Sequence, residues 1–225
     1  MASSVWESEY LEVYDTILLN SEIYLTVRDF HVNAMRGCPI ILDSCCGTGN
    51  TTLELLKKGH IVYAIDQSKK ARDILRKKCA QYANRLPILN ADAKHLTEFE
   101  DEMFDGISSM FAVYYINDFE QYLREIYRIL KPNGIFALTG RVSAKNMELI
   151  LKSYENSLRE KGLLPGLNPE FSIFRKKFLN NVTKAVINCH TFKEMSDLLK
   201  KIGFKNIWES SNPYLGQCYS LIAQK

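Results

Sequence analysis

Residues 40–50, Ile-Ile-Leu-Asp-Ser-Cys-Cys-Gly-Thr-Gly-Asn, constrain the fold more than any other stretch of the sequence. An apolar run typical of a buried strand ends at Asp43, and a loop of small residues containing Gly47 and Gly49 follows it. A helical pattern then starts at Asn50, which we expect to cap the helix. Glycines let the backbone approach a ligand closely, and free N–H groups at a helix start attract partial negative charge. The segment predicts a strand, a ligand-binding turn and a helix.

A second strand and a second acid follow at the spacing of a nucleotide-binding βαβ unit. The apolar run 61–65 is followed directly by Asp66, 17 positions after Gly49. An acid at this point accepts hydrogen bonds from ribose hydroxyls. The helix expected over residues 68–82 has a basic outer face, which we expect to be solvated.

A third acid, Asp92, follows a short strand predicted over residues 86–89. The carboxyl ends of parallel strands meet at one edge of a doubly wound sheet, where such sheets bind their ligands. Asp43, Asp66 and Asp92 are therefore expected to lie close together. The sequence predicts one site for an adenosine-type ligand at this edge.

The glycine loop favours a cationic ligand over a dinucleotide. A dinucleotide-binding loop would have a third glycine at Thr52, and Asp43 would lie beside the pyrophosphate. S-adenosylmethionine (SAM) carries an ammonium, a sulfonium and no phosphate, so an acid here helps to hold it. The stretch resembles motif I of the class I SAM-dependent methyltransferases, usually Leu-Asp-x-Gly-Cys-Gly-x-Gly, with Cys45 where the first glycine is usual.

This resemblance covers residues 38–140 and 191–224, and among the family's members the ubiquinone/menaquinone and sugar-amine methyltransferases are similar. It implies an α/β fold, a Rossmann-like seven-stranded mixed sheet of strand order 3-2-1-4-5-7-6 with helices on both faces. The last strand is expected to be antiparallel, since residues 205–211 and 218–223 form a closing hairpin. The implied cofactor is SAM, released as S-adenosylhomocysteine (SAH), with no metal.

The resemblance also implies which residues hold SAM. Asp66 accepts hydrogen bonds from both ribose hydroxyls, Asp92 contacts the adenine amino group, and the N–H of Ala93 contacts a ring nitrogen. Tyr14, beside Asp15, lies near the methionine end. The expected cofactor-binding residues are Asp43, Cys45, Gly47, Gly49, Asp66, Gln67, Asp92, Ala93, Ser109, Met110 and Tyr14.

The end of the fourth strand, residues 104–111, lies beside the transferable methyl group in the family, so acceptor contacts are expected there. Phe111, Tyr114 and Tyr115 are the expected substrate-binding residues, although an aromatic strand end is also typical of a core edge. An Asn/Asp-Pro-Pro-Tyr/Phe signature is absent from the sequence here, which disfavours nucleobase N-methylation. Arg141, at the end of the fifth strand, is expected to pair with a substrate carboxylate or phosphate.

Catalysis of methyl transfer needs a general base only if the acceptor is protonated. Tyr115 and His190 are the candidates for that base, and the sequence assigns the role to neither. His31 is a further candidate, but a lone histidine near a helix end more often packs in the structure without a catalytic role.

The chain is expected to form a single domain, 1–225. Residues 1–37 form two helices that cover the cofactor as a lid, or alternatively pack on the sheet. Residues 38–140 and 191–225 form the SAM-binding core. Residues 141–190, with a helix over 144–160 and a loop over 162–169, form a cap insertion that sets substrate choice; a surface decoration or dimer contact is the alternative.

Composition disfavours several function classes. With 29 basic and 26 acidic side chains, the net charge of +3 does not indicate an extended nucleic-acid surface. The acidic start is unlike a secretory leader, and no apolar run reaches the roughly 20 residues needed to cross a bilayer. Six cysteines form no C-x-x-C pair, which disfavours a metal clamp. A cytoplasmic protein without a membrane partner is expected.

The sequence predicts SAM-dependent methyl transfer to a small molecule by in-line displacement, in a monomer or homodimer. One alternative is an RNA or protein methyltransferase that docks through the basic segment 175–177. Another is a catalytically silent SAM-binding subunit. An NAD oxidoreductase is disfavoured by Asp43 and the closing hairpin.

Overall fold

A computed structural model describes residues 8–143, 146–182, 187–211 and 213–225. Parts of the predicted lid, residues 1–7, and of the predicted cap, residues 144–145 and 183–186, lie outside these ranges. The helices are α1 Tyr10–Leu18, α2 Glu22–Ala34, α3 Asn50–Lys57, α4 Lys69–Lys78, α5 Phe119–Ile129, α6 Met147–Glu160, α7 Asn168–Lys177 and α8 Phe192–Ile202. The strands are β1 Ile40–Ser44, β2 Ile61–Ile65, β3 Ile88–Leu89, β4 Phe104–Met110, β5 Leu130–Arg141, β6 Lys205–Ser211 and β7 Cys218–Gln224.

The seven strands form one sheet with the order β3-β2-β1-β4-β5-β7-β6. Strands β1 to β5 pair in parallel, and β7 lies antiparallel between β5 and β6. The predicted fold class, including the antiparallel last strand, is confirmed. Parallel strands need crossover connections, and the helices between them supply these connections.

Helices cover both faces of the sheet through two separate apolar cores. On one face α5 and α8 bury residues such as Tyr122, Ile126 and Leu199. On the other face α3 and α4 bury Leu55 and Leu75. Because both faces are covered, apolar residues of the central strands such as Leu42 and Ile107 are fully buried.

A third apolar cluster joins the predicted lid to the predicted cap insertion. It packs α1 and α2 against α6 and α7. The rings of Tyr10 and Phe174 stack with centroids 5.3 Å apart, and Tyr154 meets Phe174 edge-on at 5.5 Å. Lid and insertion therefore form one helical layer, called the cap layer below.

One local prediction at the glycine loop, that Asn50 caps the following helix, is wrong. Gly49, not Asn50, is the N-cap of α3, with φ +79°, and a side chain at this position would collide with Leu75. The Asn50 amide instead donates to Asp15 and to the hydroxyl of Tyr24, at 2.9 and 3.1 Å. The helix start is therefore fixed by packing and by polar contacts with the lid.

The basic face of α4 is solvated only in part. Arg72 is 8% exposed, and its Nη1 donates to the backbone oxygen of Asp66 and to Asn90 Oδ1. Lys78 donates to Asp15 Oδ2 and Asn50 Oδ1, each at 2.6 Å. Sequence periodicity places charges on an outer face, but it cannot show that the lid or a loop covers that face.

Several boundaries also differ from the sequence prediction. The helix expected to reach residue 82 ends at Lys78. The third strand, predicted over residues 86–89, comprises Ile88–Leu89. The loop expected over residues 162–169 contains a 3₁₀ turn, Leu164–Leu167, and the start of α7. Proline is favoured in the first turn of a helix, which explains why Pro169 lies in the first turn of α7 instead of extending the loop.

Candidate active site

The carboxyl ends of β1 to β4 and the cap layer enclose a cavity of 890 Å³. Asp43, Asp66 and Asp92 line its strand-edge part. Arg141 and a group of aromatic rings line its cap part. The topology thus brings together the three acids that the sequence placed after successive strands.

The glycine loop turns through three left-handed residues. Cys45 has φ +57°, Gly47 has φ +55° and Gly49 has φ +79°. The N–H of Gly47 donates to Asp66 Oδ2 at 2.9 Å, so the loop and the end of β2 are directly linked. This bond fixes the loop against the acid expected to bind the ribose.

Asp43 is buried at the end of β1, and only 2% of its surface is exposed. Thr52 Oγ1 donates to its Oδ2 at 2.5 Å. Burial raises the pKa of Asp43 to about 7, and nearby Asp66 adds to the rise. A cationic ligand beside Asp43 would favour the charged carboxylate, so this position suits a positive group.

Asp66 and Asp92 are both held by backbone donors. Asp66 accepts the N–H of Gly47 on one oxygen and the N–H of Ser68, at 2.8 Å, on the other. Asp92 accepts the N–H of Lys94 at 3.1 Å. These backbone donors fix the orientation of both carboxylates at the cavity.

The end of β4 turns sharply into the cavity at Phe111. This residue has φ +58°, and its N–H donates to the backbone oxygen of Thr139 at 3.1 Å. Its ring meets Tyr214 edge-on, with centroids 5.6 Å apart. Such strain is held by the surrounding structure and occurs frequently at ligand sites.

Arg141 ends β5 inside the cap part of the cavity, with 5% of its surface exposed. Its guanidinium carbon lies 4.7 Å from the ring centroid of Tyr114 and 5.7 Å from that of Phe178. The arrangement combines one cation with flat apolar walls.

Most of the residues predicted for the site line this cavity: Tyr14, Asp43, Cys45, Gly47, Asp66, Gln67, Asp92, Ala93, Met110, Phe111, Tyr114, Tyr115 and Arg141. Gly49, Ser109 and His190 do not. Gly49 packs against Leu75, and Ser109 is fully buried in β4, where successive side chains alternate between faces.

A family model described as a methyltransferase domain matches residues 42–138. A demethylmenaquinone methyltransferase of Lactobacillus johnsonii is 31% identical over 174 residues, which cover 74% of this chain and 68% of that protein. The chain belongs to the class I SAM-dependent methyltransferases. It is an enzyme, and the resemblance drawn from its glycine loop and strand-end acids is confirmed.

Two solved structures show the fold of this methyltransferase. A SAM-dependent methyltransferase of Thermotoga maritima superposes with a TM-score of 0.68 at 18% identity, covering 100% of both chains. A 1,6-didemethyltoxoflavin-N1-methyltransferase of Burkholderia thailandensis, bound to its substrate and SAH, gives 0.63 at 17% identity, covering 99% of this chain and 88% of that one. At these identities the likeness concerns the fold alone.

The predicted bases of the methyltransferase are poorly suited to proton transfer. Burial raises the pKa of Tyr115 to about 12, although nearby Arg141 opposes the rise, so its hydroxyl is neutral near pH 7. The ring of His190 packs on Phe119, with centroids 4.5 Å apart, outside the cavity lining. His31 is fully buried between Ser108 and Thr139 and also lies outside the lining.

Sequence reasoning missed several aromatic residues that line the cavity of the methyltransferase: Tyr10, Tyr24, Tyr154, Phe178 and Tyr214. The hydroxyls of Tyr154 and Tyr214 are hydrogen-bonded at 2.9 Å. Four of these five rings lie on the lid and the cap insertion, where the resemblance is weak. The signal that could have found them is the repeated tyrosine on the apolar stripes of the lid and insertion helices.

Neither a metal cluster nor a membrane span was found in the part of the methyltransferase that the structure describes. Within these ranges, no three His, Cys, Asp or Glu side chains are grouped to hold a metal ion. No helix there has the length and apolarity required to cross a bilayer.

Proposed function

We propose that this methyltransferase transfers the methyl group of SAM to a small-molecule acceptor inside the cavity, by in-line displacement, and releases SAH. One observation carries the proposal: a single cavity runs from the strand-edge acids to Arg141, beneath residues of the cap layer. Its 890 Å³ lies near the upper end of the roughly 300–1,000 Å³ typical of ligand pockets. This volume suits a cofactor together with a small acceptor.

The three acids divide the recognition of SAM between them. In this proposal Asp66 accepts hydrogen bonds from the ribose hydroxyls, and Asp92 accepts one from the adenine amino group. Asp43 provides negative charge for the cationic methionine part of SAM. The buried position of Asp43 supports its role, because a carboxylate in a poorly solvated site interacts strongly with a cation.

The chemistry requires alignment more than proton transfer. A sulfonium methyl is already activated, so the enzyme must hold the nucleophile about 3–3.5 Å away and in line, and exclude water. Aromatic faces such as that of Tyr115 can also stabilise the cationic centre. The high pKa of Tyr115 supports a reaction that proceeds by positioning, without a strong general base.

The relatives support a small acceptor with a flat ring. The names of the Lactobacillus johnsonii and Burkholderia thailandensis proteins refer to demethylmenaquinone and 1,6-didemethyltoxoflavin. Aromatic residues such as Phe111, Tyr114 and Phe178 line the cap part of the cavity in this chain. Such walls pack well against a flat molecule.

The alternative acceptors, RNA and protein, have weaker support. Two of the three cations in the segment proposed for docking form ion pairs, Arg175 with Glu148 at 3.4 Å and Lys177 with Glu9 at 3.2 Å. Paired cations attract phosphate less strongly than free ones do. This observation favours the small-molecule proposal.

The sequence also predicts a cytoplasmic location and a monomer or homodimer. Size-exclusion chromatography with light scattering would measure the assembly.

The proposed function is tested by following the label from methyl-labelled SAM in an extract of small molecules, RNA and protein. After incubation, an ultrafilter separates macromolecules from small molecules. We expect SAH and a labelled product in the filtrate. Label that stays with RNA or protein would contradict the proposal.

A further inference from the structure

The guanidinium of Arg141 lacks an anionic partner among the described residues. The hydrogen bond that its side chain forms there goes from Nη1 to the Met147 sulfur at 2.9 Å, and Nε is buried with no partner. Thioether sulfur is a weak acceptor, whereas a guanidinium has five N–H donors. Most of the hydrogen-bonding capacity of this buried cation is therefore unused.

Neighbouring side chains do not supply a hidden negative charge. Tyr115 and Cys218 both affect the electrostatic environment of Arg141, but burial raises the pKa of each to about 12. Both groups are neutral near pH 7. The faces of Tyr114 and Phe178 compensate the cation in part, through cation–π contacts.

A buried cation without a counter-ion destabilises the empty protein. Arg141 nevertheless lines the cavity. This placement is explained if the missing anion arrives with the ligand.

The charge of that ligand follows from the lining. Lys94 is the other lysine or arginine lining the cavity, among the described residues, and its Nζ lies 3.7 Å from Asp92 in the strand-edge part. A single guanidinium balances one negative charge, so a phosphate dianion would be left undercompensated. A planar carboxylate also matches guanidinium geometry.

We infer that the methyl acceptor is a monoanionic carboxylate on a flat unsaturated body, with the carboxylate seated against Arg141. This inference rests on the proposed function, since it names the substrate class of the same cavity. The carboxylate pairs with the guanidinium, and the flat body lies among the rings of the cap part.

The first test is thermal unfolding of the ligand-free protein. Arg141→Met removes the charge and keeps an apolar side chain of similar length. We expect its Tm to rise by about 2–4 °C, the shift typical of a modest stabilisation in a chain of this size. Arg128→Met is the matched control, because Arg128 is paired with Glu125 and Asp101 and its loss should lower the Tm. An Arg141→Met protein less stable than wild type would indicate a structural role and overturn the inference.

The second test uses matched probes on SAH-saturated enzyme: benzoate and benzamide, 2-naphthoate and 2-naphthamide, and phenyl phosphate, titrated calorimetrically. We expect the carboxylates to bind at least about tenfold more tightly than their amides, and Arg141→Met to remove that preference, as for loss of a charged hydrogen bond. Equal binding of acids and amides, preference for phenyl phosphate, undiminished acid binding by Arg141→Met, or no binding of any acid would overturn the inference. SAH titrated alone reports the proposed cofactor site separately, so failure there is distinguished from failure here.

Discussion

Cys45 holds a backbone conformation that side chains disfavour. Its φ of +57° is left-handed, which costs a residue with a Cβ roughly 1–2 kcal/mol. Glycine avoids this strain but loses about 0.5–1 kcal/mol of chain entropy. We therefore expect Cys45→Gly to raise the free energy of unfolding by up to about 1.5 kcal/mol. Urea unfolding measures the effect. Valine is β-branched, so Cys45→Val should unfold at lower urea concentration than wild type. A valine variant as stable as wild type would contradict the assigned strain.

Asp43 should make SAM binding depend on pH. The pKa of its carboxyl is about 7 without ligand, because it is buried. A cationic ligand favours the charged form, so below pH 7 binding must release a proton. We expect SAM affinity to fall as pH drops below about 7, approaching tenfold per pH unit, and to level off above it. Calorimetry across this range measures the profile. Asp43→Asn should flatten it, and an unchanged profile in that variant would contradict the assignment.

His31 should make stability depend on pH in the same direction. Its ring nitrogens contact Ser108 at 3.0 Å and Thr139 at 2.8 Å, and burial lowers its pKa to about 3. The unfolded chain, with a histidine pKa near 6.5, binds the proton first as pH falls. The contribution of neutral His31 to the free energy of unfolding is complete above about pH 6.5. It is lost as the pH falls towards 3, at roughly 1.4 kcal/mol per pH unit. Urea unfolding of wild type and His31→Gln should show the steeper slope for wild type. Equal slopes would contradict the assignment.

Individual residues were predictable where the pattern was local. Asp43, Asp66 and Asp92 each follow an apolar run, so their place at the strand edge could be predicted without tertiary information. The unpaired state of Arg141 could not, because it depends on what α6 and the residues after α7 place around it. The burial of Arg72 was missed because it also depends on tertiary contacts, here with Asp66 and Asn90.

A polar cluster, here called the latch, ties α1 to the glycine loop and to α4. Asp15 Oδ1 accepts hydrogen bonds from Thr48 Oγ1 at 2.6 Å and Asn50 Nδ2 at 2.9 Å. Its Oδ2 accepts a hydrogen bond from Lys78 Nζ at 2.6 Å. The latch holds the lid helix against the loop that begins α3.

Breaking the latch should weaken cofactor binding. Asp15→Ala removes charge-assisted hydrogen bonds worth about 1.5–3 kcal/mol each, and we expect a SAM Kd roughly tenfold higher as the loop loses its anchor. Glu12→Gln is the control, since Glu12 joins the same helix to Lys70 through a more exposed ion pair. Calorimetric titration compares the variants. Similar Kd values for both would show that the latch does not support the loop.

Elements were predictable to different degrees. The core strands and α8 were clear, because apolar runs and the Thr191–Glu194 capping box are local signals. The start of α7 was missed, since Pro169 after a glycine-rich stretch suggested a loop. The path of the cap insertion depends on packing with the lid, which no single segment encodes.

At the scale of the whole molecule, two distant segments build one site. The strand edge of the sheet supplies the acids. The cap layer, formed by lid and insertion together, supplies aromatic residues that surround Arg141. The fold class could be predicted because the glycine loop and the strand-end acids carry the resemblance to the methyltransferase family. The cap layer could not be predicted, because it depends on contacts between residues such as Tyr10 and Phe174, far apart in the chain.

Calorimetric titration of SAH into wild type, Asp66→Ala and Glu98→Ala tests most directly whether the strand-edge acids form the cofactor site. Asp66 lines the cavity, whereas Glu98 is an exposed acid outside the lining. Each charged hydrogen bond to the ribose is worth about 1.5–3 kcal/mol, so Asp66→Ala should bind SAH at least about tenfold more weakly. Glu98→Ala should match wild type. An unchanged SAH affinity in Asp66→Ala would contradict the placement of SAM at this edge.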